Sequence, residues 1–445
     1  MLKQQIKNKL IEIIKYDYQE LKFPLVWLMR IRAAILNAQG KHLQAFDTLA
    51  STFVTGWAGS FKPICNYAKE LYSDSEPSKK LRKKIHQEFI EGVQPLAISQ
   101  KFFDDPSLLY EDEFIVLKPY KEGEKGVLLL KYSYYFPLLP KFFNLNDVAK
   151  RYFIVLEPSW AGFFDKGILI YSELDDDVFV MTYEDRDKQF LEALNTNIKP
   201  VDIGPSWWVD HRMFKPVEGV ERDIDVIMVA AWAAYKRHRE FFIALAKLRK
   251  QGIKYNVVLA GYGAELGYIQ AQAEKIGVAD QITYYTKIPP QEVAKLVNRS
   301  KVNVLWSRFE GNNRAIIEGM FCDTPCILRK GHNYGQHYDY INSKTGMFAA
   351  ENELASALQH MVENYDKYSP REYVMNHRSC IKATEILSEA IKQTSLNMGL
   401  RWSEDLHVKV NALDGMTYFE DGEMEYFKDD YDYLTSCIKE EHRKT

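Results

Sequence analysis

Cysteine is scarce in this sequence, and its five residues are odd in number and widely scattered. This usage differs from the paired framework of a small secreted protein and is typical of a reducing compartment. Cys322 and Cys326 lie four residues apart, but Pro325 separates them and no second pair of cysteines or histidines follows at zinc-ligand spacing. We therefore expect neither a disulfide framework nor a metal site.

Long apolar runs are also absent. No window reaches the ~18 apolar residues that a membrane-spanning helix needs. Near the start, Lys3, Lys7 and Lys9 interrupt the apolar residues, so the unbroken apolar core of a signal peptide is missing. We expect a cytoplasmic protein without a transmembrane segment, whose membrane contact, if it makes one, is peripheral.

The chain lacks a strong excess of charge of either sign. Its 58 Lys and Arg residues face 61 Asp and Glu residues, which gives a net charge of -3. Such a balance provides no general attraction to nucleic acid, and a bound anion must be held locally. We therefore expect no nucleic-acid partner, while the composition leaves the oligomeric state open.

The chain is long enough, and contains enough hydrophobic residues, to form several domains. It has 445 residues, of which 46% are hydrophobic, so two or three domains are expected. We predict a helical extension (1–95), a first Rossmann-like domain (96–208), a second Rossmann-like domain (209–390) and a C-terminal segment (391–445). That segment is predicted to contain a helix returning to the first domain, followed by an acidic, aromatic tail.

The first 72 residues show helical periodicity. Gly40 stands between two apolar-periodic runs, as in a helical hairpin closed by a glycine. The sequence pattern is like that of a tetratricopeptide unit, but the presence of a single pair of helices favours a helical extension over a repeat array. Ser73 to Lys84 is polar and charged, and we predict a linker or exposed turn there.

Short β-rich runs then alternate with helical stretches, which predicts an α/β class. In the first half the runs are 114–117, 127–130, 152–156 and 178–181. In the second half they are 225–229, 257–260, 282–285, 302–305 and 326–328, separated by amphipathic helices. The second half reads as a doubly wound sheet.

Ligands bind such sheets where the strands end, so the loop after 302–305 is the strongest candidate site. There Glu310 precedes Gly311, Asn312 and Asn313, and the helix that follows carries Glu318. Backbone amides at the helix start can hold a diphosphate, and the two carboxylates can accept hydrogen bonds from hydroxyl groups on either side of it. The spacing of two glutamates alone is weak evidence, because acidic pairs are common.

The string SRFEGNNRAIIEGMFCDTPCI, from Ser307 to Ile327, resembles the glutamate-x7-glutamate signature of retaining GT-B glycosyltransferases of the glycogen-synthase and mannosyltransferase type. The resemblance implies two Rossmann-like domains facing a cleft, a nucleotide-sugar donor on the second and an acceptor on the first. It implies that Glu310 binds hydroxyls of the transferred sugar, Glu318 binds the ribose, and residues 311–313 bind the donor phosphate or sugar. No cofactor is expected, because a UDP- or GDP-sugar would serve as substrate.

Other stretches carry the same resemblance. The segment 201–216 is similar to the interdomain hinge, and Lys236 falls where the family keeps a lysine against the donor diphosphate, although a solvated surface lysine is the alternative. Gly261 and Gly263 resemble the family's glycine turn beside the nucleotide. Lys287 and Ile288 lie where the chain passes the base.

One family position is not matched. Ala230 and Ala231 occupy the stretch where the family has a phosphate-binding arginine, and Arg237 or Arg314 is expected to replace it. In the first half, Glu157 and Trp160 follow a strong strand and are candidates to bind the acceptor, or else part of a turn and the core. His211 and His238 are expected to be structural.

The resemblance therefore implies a metal-independent, retaining glycosyltransferase in glycan or surface polysaccharide synthesis, with Glu310 and Lys236 at the reacting centre. A retaining glycosidase needs two carboxylates about 5 Å apart, which a loop residue and a helix residue are not expected to provide. Two alternatives stay open. One is a nucleotide-sugar epimerase of the same architecture, and the other is an inactive transferase-like scaffold that binds a partner.

Overall fold

The computed structural model describes residue 11 and residues 13–158, 166–311, 313–331, 338–412 and 415–443. The chain forms two compact units, one of Met1–Pro205 with Ala383–Thr445 and the other of Ser206–Lys382. Each unit contains a Rossmann-like sheet flanked by helices, which confirms the predicted α/β class with two Rossmann-like domains. Among the described helices, none has the length and apolar character needed to cross a membrane.

The sheet of the first unit has the order β1-β2-β3-β4-β5, with β1 antiparallel to β2 and the other neighbours parallel. Its strands are β1 (Phe114–Lys118), β2 (Gly126–Lys131), β3 (Tyr152–Glu157), β4 (Val178–Thr182) and β5 (Ile198–Asp202). The first four are buried along their whole length, as expected of near-continuous apolar runs covered on both faces. The fifth was not predicted, because its exposed residues and Pro200 give it the character of an edge strand.

Helices precede and connect these strands. They are α1 (Phe23–Ala38), α2 (His42–Val54), α3 (Phe61–Leu71), α4 (Glu76–Glu91), α5 (Gln100–Asp104), α6 (Leu109–Asp112), α7 (Leu138–Phe142), α8 (Leu145–Arg151), α9 (Lys166–Leu169) and α10 (Asp185–Leu194). Gly40, with a φ of 73°, joins α1 to α2 and confirms the predicted helical hairpin.

The predicted linker at Ser73–Lys84 is wrong, because most of it belongs to α4. The side chain of Ser75 accepts a hydrogen bond from the backbone N–H of Ser78 at 3.3 Å and so caps the helix. Within the stretch, Arg82 forms an ion pair with Glu173 at 2.6 Å. Its charged composition is thus that of a helix whose exposed face is solvated and whose other face is buried at Ile85.

The second unit has a fully parallel sheet of order β11-β10-β9-β6-β7-β8. Its strands are β6 (Ile224–Val229), β7 (Val257–Gly261), β8 (Ile282–Thr286), β9 (Ser300–Leu305), β10 (Cys326–Arg329) and β11 (Gly346–Ala349). Its helices are α11 (His238–Lys250), α12 (Leu266–Ile276), α13 (Pro290–Asn298), α14 (Arg314–Phe321), α15 (Leu354–Asn364) and α16 (Pro370–His377). This confirms the predicted doubly wound domain and adds β11.

The C-terminal part contains α17 (Cys380–Asn397), the hairpin of β12 (Lys409–Ala412) and β13 (Gly415–Tyr418), α18 (Glu423–Tyr426) and α19 (Lys428–Ser436). The aromatic tail is integrated into the first unit. The hydroxyl of Tyr418 donates to the carbonyl of Val116 at 2.7 Å, and the N–H of Val116 donates to the hydroxyl of Tyr431 at 3.2 Å. The tail thereby satisfies backbone groups of the edge strand β1.

Candidate functional site

The strand order of the second unit places a topological switch point between β6 and β9. From β6 the chain proceeds to β7 and β8 on one side, and it then returns to add β9, β10 and β11 on the other. In open parallel sheets the crevice at this point, beyond the carboxyl ends of the two strands, is the usual ligand site. The loop after β6 carries Lys236 and the loop after β9 carries Glu310, so the fold brings the two predicted residues to the same edge.

Lys236 and Glu310 form an ion pair at this edge. The ammonium group of Lys236 donates a hydrogen bond to Oε1 of Glu310, and each side chain is only 9% exposed. The hydroxyl of Ser307 donates to the same carboxylate oxygen. Lys236 is therefore not the solvated surface lysine that the sequence left as an alternative.

The two loops are also joined through their backbones. The N–H of Arg308 donates to the carbonyl of Tyr235 at 2.7 Å, and the rings of Tyr235 and Phe309 stack with centroids 4.8 Å apart. Arg329, at the end of β10, donates to the carbonyls of Ser307 and Arg308, at 2.9 Å in both cases. These contacts fix the position of Glu310 relative to Lys236.

Helix α14 begins directly after the Glu310 loop. The side chain of Asn313 accepts a hydrogen bond from the N–H of Ile316 at 3.1 Å, which caps the helix. Asn303 on β9 donates to the carbonyl of Ala315 at 3.0 Å, and a Cβ on Gly319 would meet the Asn303 amide nitrogen at 2.6 Å. Gly319 thus lets the helix lie close against β9. Gly311 is half-buried before this helix, and Asn312 lies outside the described residues.

Glu318 lies on the second turn of α14 and pairs with Arg314, one turn earlier, at 2.6 Å. Burial raises the pKa of the Glu318 carboxyl, and Arg314 opposes this rise by favouring the ionised form. The other candidate arginine, Arg237, pairs at 2.6 Å with Glu351. Both arginines predicted to replace the missing one therefore carry a carboxylate partner in this structure.

The glycine turn after β7 packs against the loop after β6. A Cβ on Gly261 would meet the carbonyl oxygen of Ala230 at 2.0 Å, and a Cβ on Gly263, whose φ is 130°, would meet that of Trp232 at 2.9 Å. The N–H of Lys287 donates to the carbonyl of Gly261 at 2.9 Å. Close backbone approach explains these glycines, and Ile288, half-buried, follows in the same chain segment.

The predicted acceptor residues belong to the first unit. Glu157 ends β3, is 2% exposed, and is held by the ammonium group of Lys409 and by the amide of Asn411, the latter at 2.8 Å. An acceptor hydroxyl would have to compete with these two partners for the carboxylate. Trp160 lies outside the described residues.

His238 and Ser307 lie next to the Lys236–Glu310 pair, and the sequence pattern assigned neither of them a chemical role. His238 begins α11, two residues after Lys236, is 3% exposed, and neither ring nitrogen has a hydrogen-bond partner among the described residues. Burial lowers the pKa of His238 to about 4, and the positive charge of Lys236 is the second, smaller cause. Ser307 stands three residues before Glu310, a spacing visible in the sequence.

His211 is also buried, and its ring lies 3.6 Å from the Cys380 sulfur.

Comparison with known proteins places the match over the second unit. Residues 210–376 match the family model described as glycosyl transferases group 1. D-inositol 3-phosphate glycosyltransferase of Segniliparus rotundus is 32% identical over 83 residues, which is 18% of this chain and 18% of that protein. The matched region thus spans less than a fifth of that relative's length.

Solved structures of similar fold include sucrose-phosphate synthase from Thermosynechococcus elongatus. It has 16% identity and a TM-score of 0.44, and the match covers 61% of this chain and 71% of that one. Anabaena HepE in complex with UDP has 13% identity and a TM-score of 0.46, with 60% of this chain and 78% of that one covered.

Proposed function

We propose that this chain, which carries a group 1 glycosyl transferase domain at residues 210–376, is a retaining glycosyltransferase that moves a sugar from a nucleotide diphosphate sugar to an acceptor hydroxyl. The donor is a UDP- or GDP-sugar bound by the second unit. The acceptor is a glycan or another hydroxyl compound, in the synthesis of glycans or surface polysaccharides.

The observation that carries this proposal is the buried pair of Lys236 and Glu310 at the switch point. Removing two charges from water is costly, and an ion pair seldom recovers more than that cost. A pair held at the edge where parallel sheets bind ligands is therefore better explained by a ligand than by stability. A diphosphate offers oxygens for the ammonium group of Lys236, and a sugar offers hydroxyls for the carboxylate of Glu310.

The surrounding residues complement the rest of such a donor. The first N–H groups of α14 lie directly after the Glu310 loop, where a helix N-terminus favours a negatively charged group. Glu318, kept beside Arg314, can accept hydrogen bonds from two neighbouring ribose hydroxyls. Arg314 and Arg237 are the candidates for the phosphate-binding role of the family arginine.

In the proposed reaction the enzyme supplies position and charge. The bond from the anomeric carbon to the diphosphate oxygen breaks, and Lys236 with the α14 N-terminus stabilises the negative charge that develops on the diphosphate. The acceptor oxygen attacks from the same face, and its proton passes to a leaving phosphate oxygen. This front-face course gives retention of configuration and uses neither a carboxylate nucleophile nor a metal ion.

The test is a panel of UDP-, GDP- and ADP-sugars incubated with wild-type protein and with Glu318→Ala. Nucleotide binding and nucleoside diphosphate release are followed, and the anomeric configuration of any product is read by NMR. We expect one donor to bind and to release its diphosphate, with a retained configuration in the product and much weaker binding by Glu318→Ala.

Two results would replace the proposal. Conversion of a donor to its 2-epimer without an acceptor would identify an epimerase. Failure of every donor to bind wild-type protein would leave the inactive, partner-binding scaffold as the better account.

A further inference from the structure

Helix α1 of the first unit carries apolar residues on all sides, yet much of it faces solvent. Val26 and Ala33 are its buried residues, on the side that packs against α2. Five large apolar side chains of the same helix are exposed, with Trp27 at 56% and Ile31 at 40%; the others are Phe23, Leu28 and Ile35. A helix that is apolar all round is normally covered on every side, by protein or by lipid.

The exposed residues form one continuous surface. At about 100° per residue, Phe23, Trp27, Ile31, Ile35 and Leu28 occupy an arc of roughly 140° on the side opposite to Val26 and Ala33. We call these five residues the α1 apolar face. The helical positions of Arg30 and Arg32 fall on the two borders of that arc, and both side chains are exposed.

The sequence around this face has an excess of basic residues. From residue 21 to residue 46 the sequence contains four basic residues and no acidic one, and over residues 1–46 eight Lys and Arg residues face three Asp and Glu residues. Neither Arg30 nor Arg32 has an ion-pair partner within the part of the chain that the structure describes. An apolar strip bordered by two exposed arginines complements a surface that is apolar within and anionic at its rim.

We propose that the α1 apolar face docks in the interfacial layer of an anionic lipid bilayer, with Arg30 and Arg32 against the lipid phosphates. The helix has 16 residues, a length of about 24 Å at 1.5 Å per residue, and it carries two arginines, so it suits a position in the membrane plane rather than across it. Trp27 and Phe23 are side chains that partition well into this layer, and arginines can extend from an apolar strip to the headgroups.

The charge pattern favours lipid over a second copy of the chain. If two α1 apolar faces packed together, the arginine borders of both copies would approach each other, and residues 21–46 provide no acidic side chain to neutralise them. Phosphate groups of an anionic membrane provide that neutralisation. The proposal concerns where the protein works, and it stands independently of the proposed sugar transfer.

The experiment is flotation of the full chain with vesicles of phosphatidylcholine alone or with about one third phosphatidylglycerol. We expect wild type to float with the anionic vesicles and Ile31→Glu to lose at least tenfold in partitioning, since a charge is placed in the apolar strip. Ile381→Glu is the matched control, because Ile381 lies in the helix Cys380–Asn397 and is 41% exposed, close to the value for Ile31. It should float like wild type.

A second variant tests the arginines. Arg30→Gln with Arg32→Gln should weaken binding to anionic vesicles by roughly 30-fold and have little effect on neutral ones. Circular dichroism confirms that each variant is folded, and sugar transfer to a soluble acceptor should remain unchanged.

The proposal is overturned if wild type stays with the soluble fraction, or if Ile31→Glu and Ile381→Glu float equally well. It is also overturned if sedimentation shows an oligomer that Ile31→Glu dissociates while vesicle binding is unaffected, since a second copy would then be the occupant of this face.

Discussion

The ammonium group of Lys236 donates a hydrogen bond to the carboxylate of Glu310, and the two residues come from the loops that follow two adjacent parallel strands. They are 74 positions apart in the chain. The pair forms because the strand order at the switch point brings the two loops together. Substituting one residue or both tests how the pair contributes to stability and to donor binding.

Lys236→Met should reduce both stability and donor binding. The variant removes the ammonium group that pairs with a mostly buried carboxylate, so we expect the free energy of unfolding to fall by about 3 kcal/mol. The double variant Lys236→Met, Glu310→Met removes both charges of the pair, and its stability should return to within about 1 kcal/mol of wild type. Urea denaturation measures the free energy of unfolding of the single and the double variant.

Activity separates this account from a purely structural role for the pair. The double variant should remain inactive although it is stable, because both proposed donor contacts are gone. A stable double variant with normal transfer would show that the pair does not bind the donor.

His238 should make the second unit less stable at mildly acidic pH. Its pKa is about 4 in the folded protein, below the ordinary value of 6.5, so the unfolded chain binds a proton that the folded one does not. The stabilisation is present above about pH 6.5 and is lost as the pH falls toward 4. Between pH 7 and pH 5 the loss should be about 2 kcal/mol.

The measurement is urea denaturation at both pH values in wild type, His238→Leu and His360→Leu. His238→Leu should remove about 2 kcal/mol of the pH dependence. His360 is exposed, so His360→Leu should keep the wild-type dependence. If His238→Leu retains the full dependence, other groups are responsible for it.

Asn313 should matter as a helix cap. Asn313→Ala removes the acceptor of the Ile316 N–H and should cost about 1 kcal/mol, whereas Asn313→Ser should keep most of the stability. In a unit of this size the alanine variant should unfold roughly 2–4 °C lower in calorimetry. Equal transitions for the two variants would indicate that the cap contributes nothing.

Sugar transfer should not require a divalent metal ion. The proposed stabilisation of the leaving diphosphate comes from Lys236 and the start of α14, so nucleoside diphosphate release should continue in excess EDTA at more than half its initial rate. Loss of activity in EDTA, restored by Mg²⁺ or Mn²⁺, would show that a metal ion supplies this charge instead.

The sequence was most informative for the second unit. Strict alternation of apolar runs with amphipathic helices predicted five of its six strands. Strand β11 escaped prediction because Gly346 weakens the strand pattern, and the reason for that glycine is tertiary: a Cβ there would meet the carbonyl of Cys326 at 2.2 Å.

The first unit was less predictable, because long-range contacts determine it. The charged sequence of α4 is typical of a linker, and the local pattern does not show the contacts that make it a helix. These contacts are the ion pair of Arg82 with Glu173 and the cap at Ser75. Glu157 was predicted near an acceptor, but its partner Lys409 lies 252 positions away and is not suggested by any local pattern. The same is true of Ser307, whose bond to Glu310 depends on the loop conformation.

The central claim, that Lys236 and Glu310 form a donor site, is tested most directly by calorimetric titration of UDP and GDP into wild type, Lys236→Met and Lys301→Met. Lys301 forms an ion pair with Asp225 at 2.7 Å, near the opposite ends of the same two strands, and is therefore a matched control. We predict that one nucleotide binds wild type and Lys301→Met equally and binds Lys236→Met at least tenfold more weakly. Equal binding by all three proteins would contradict the account.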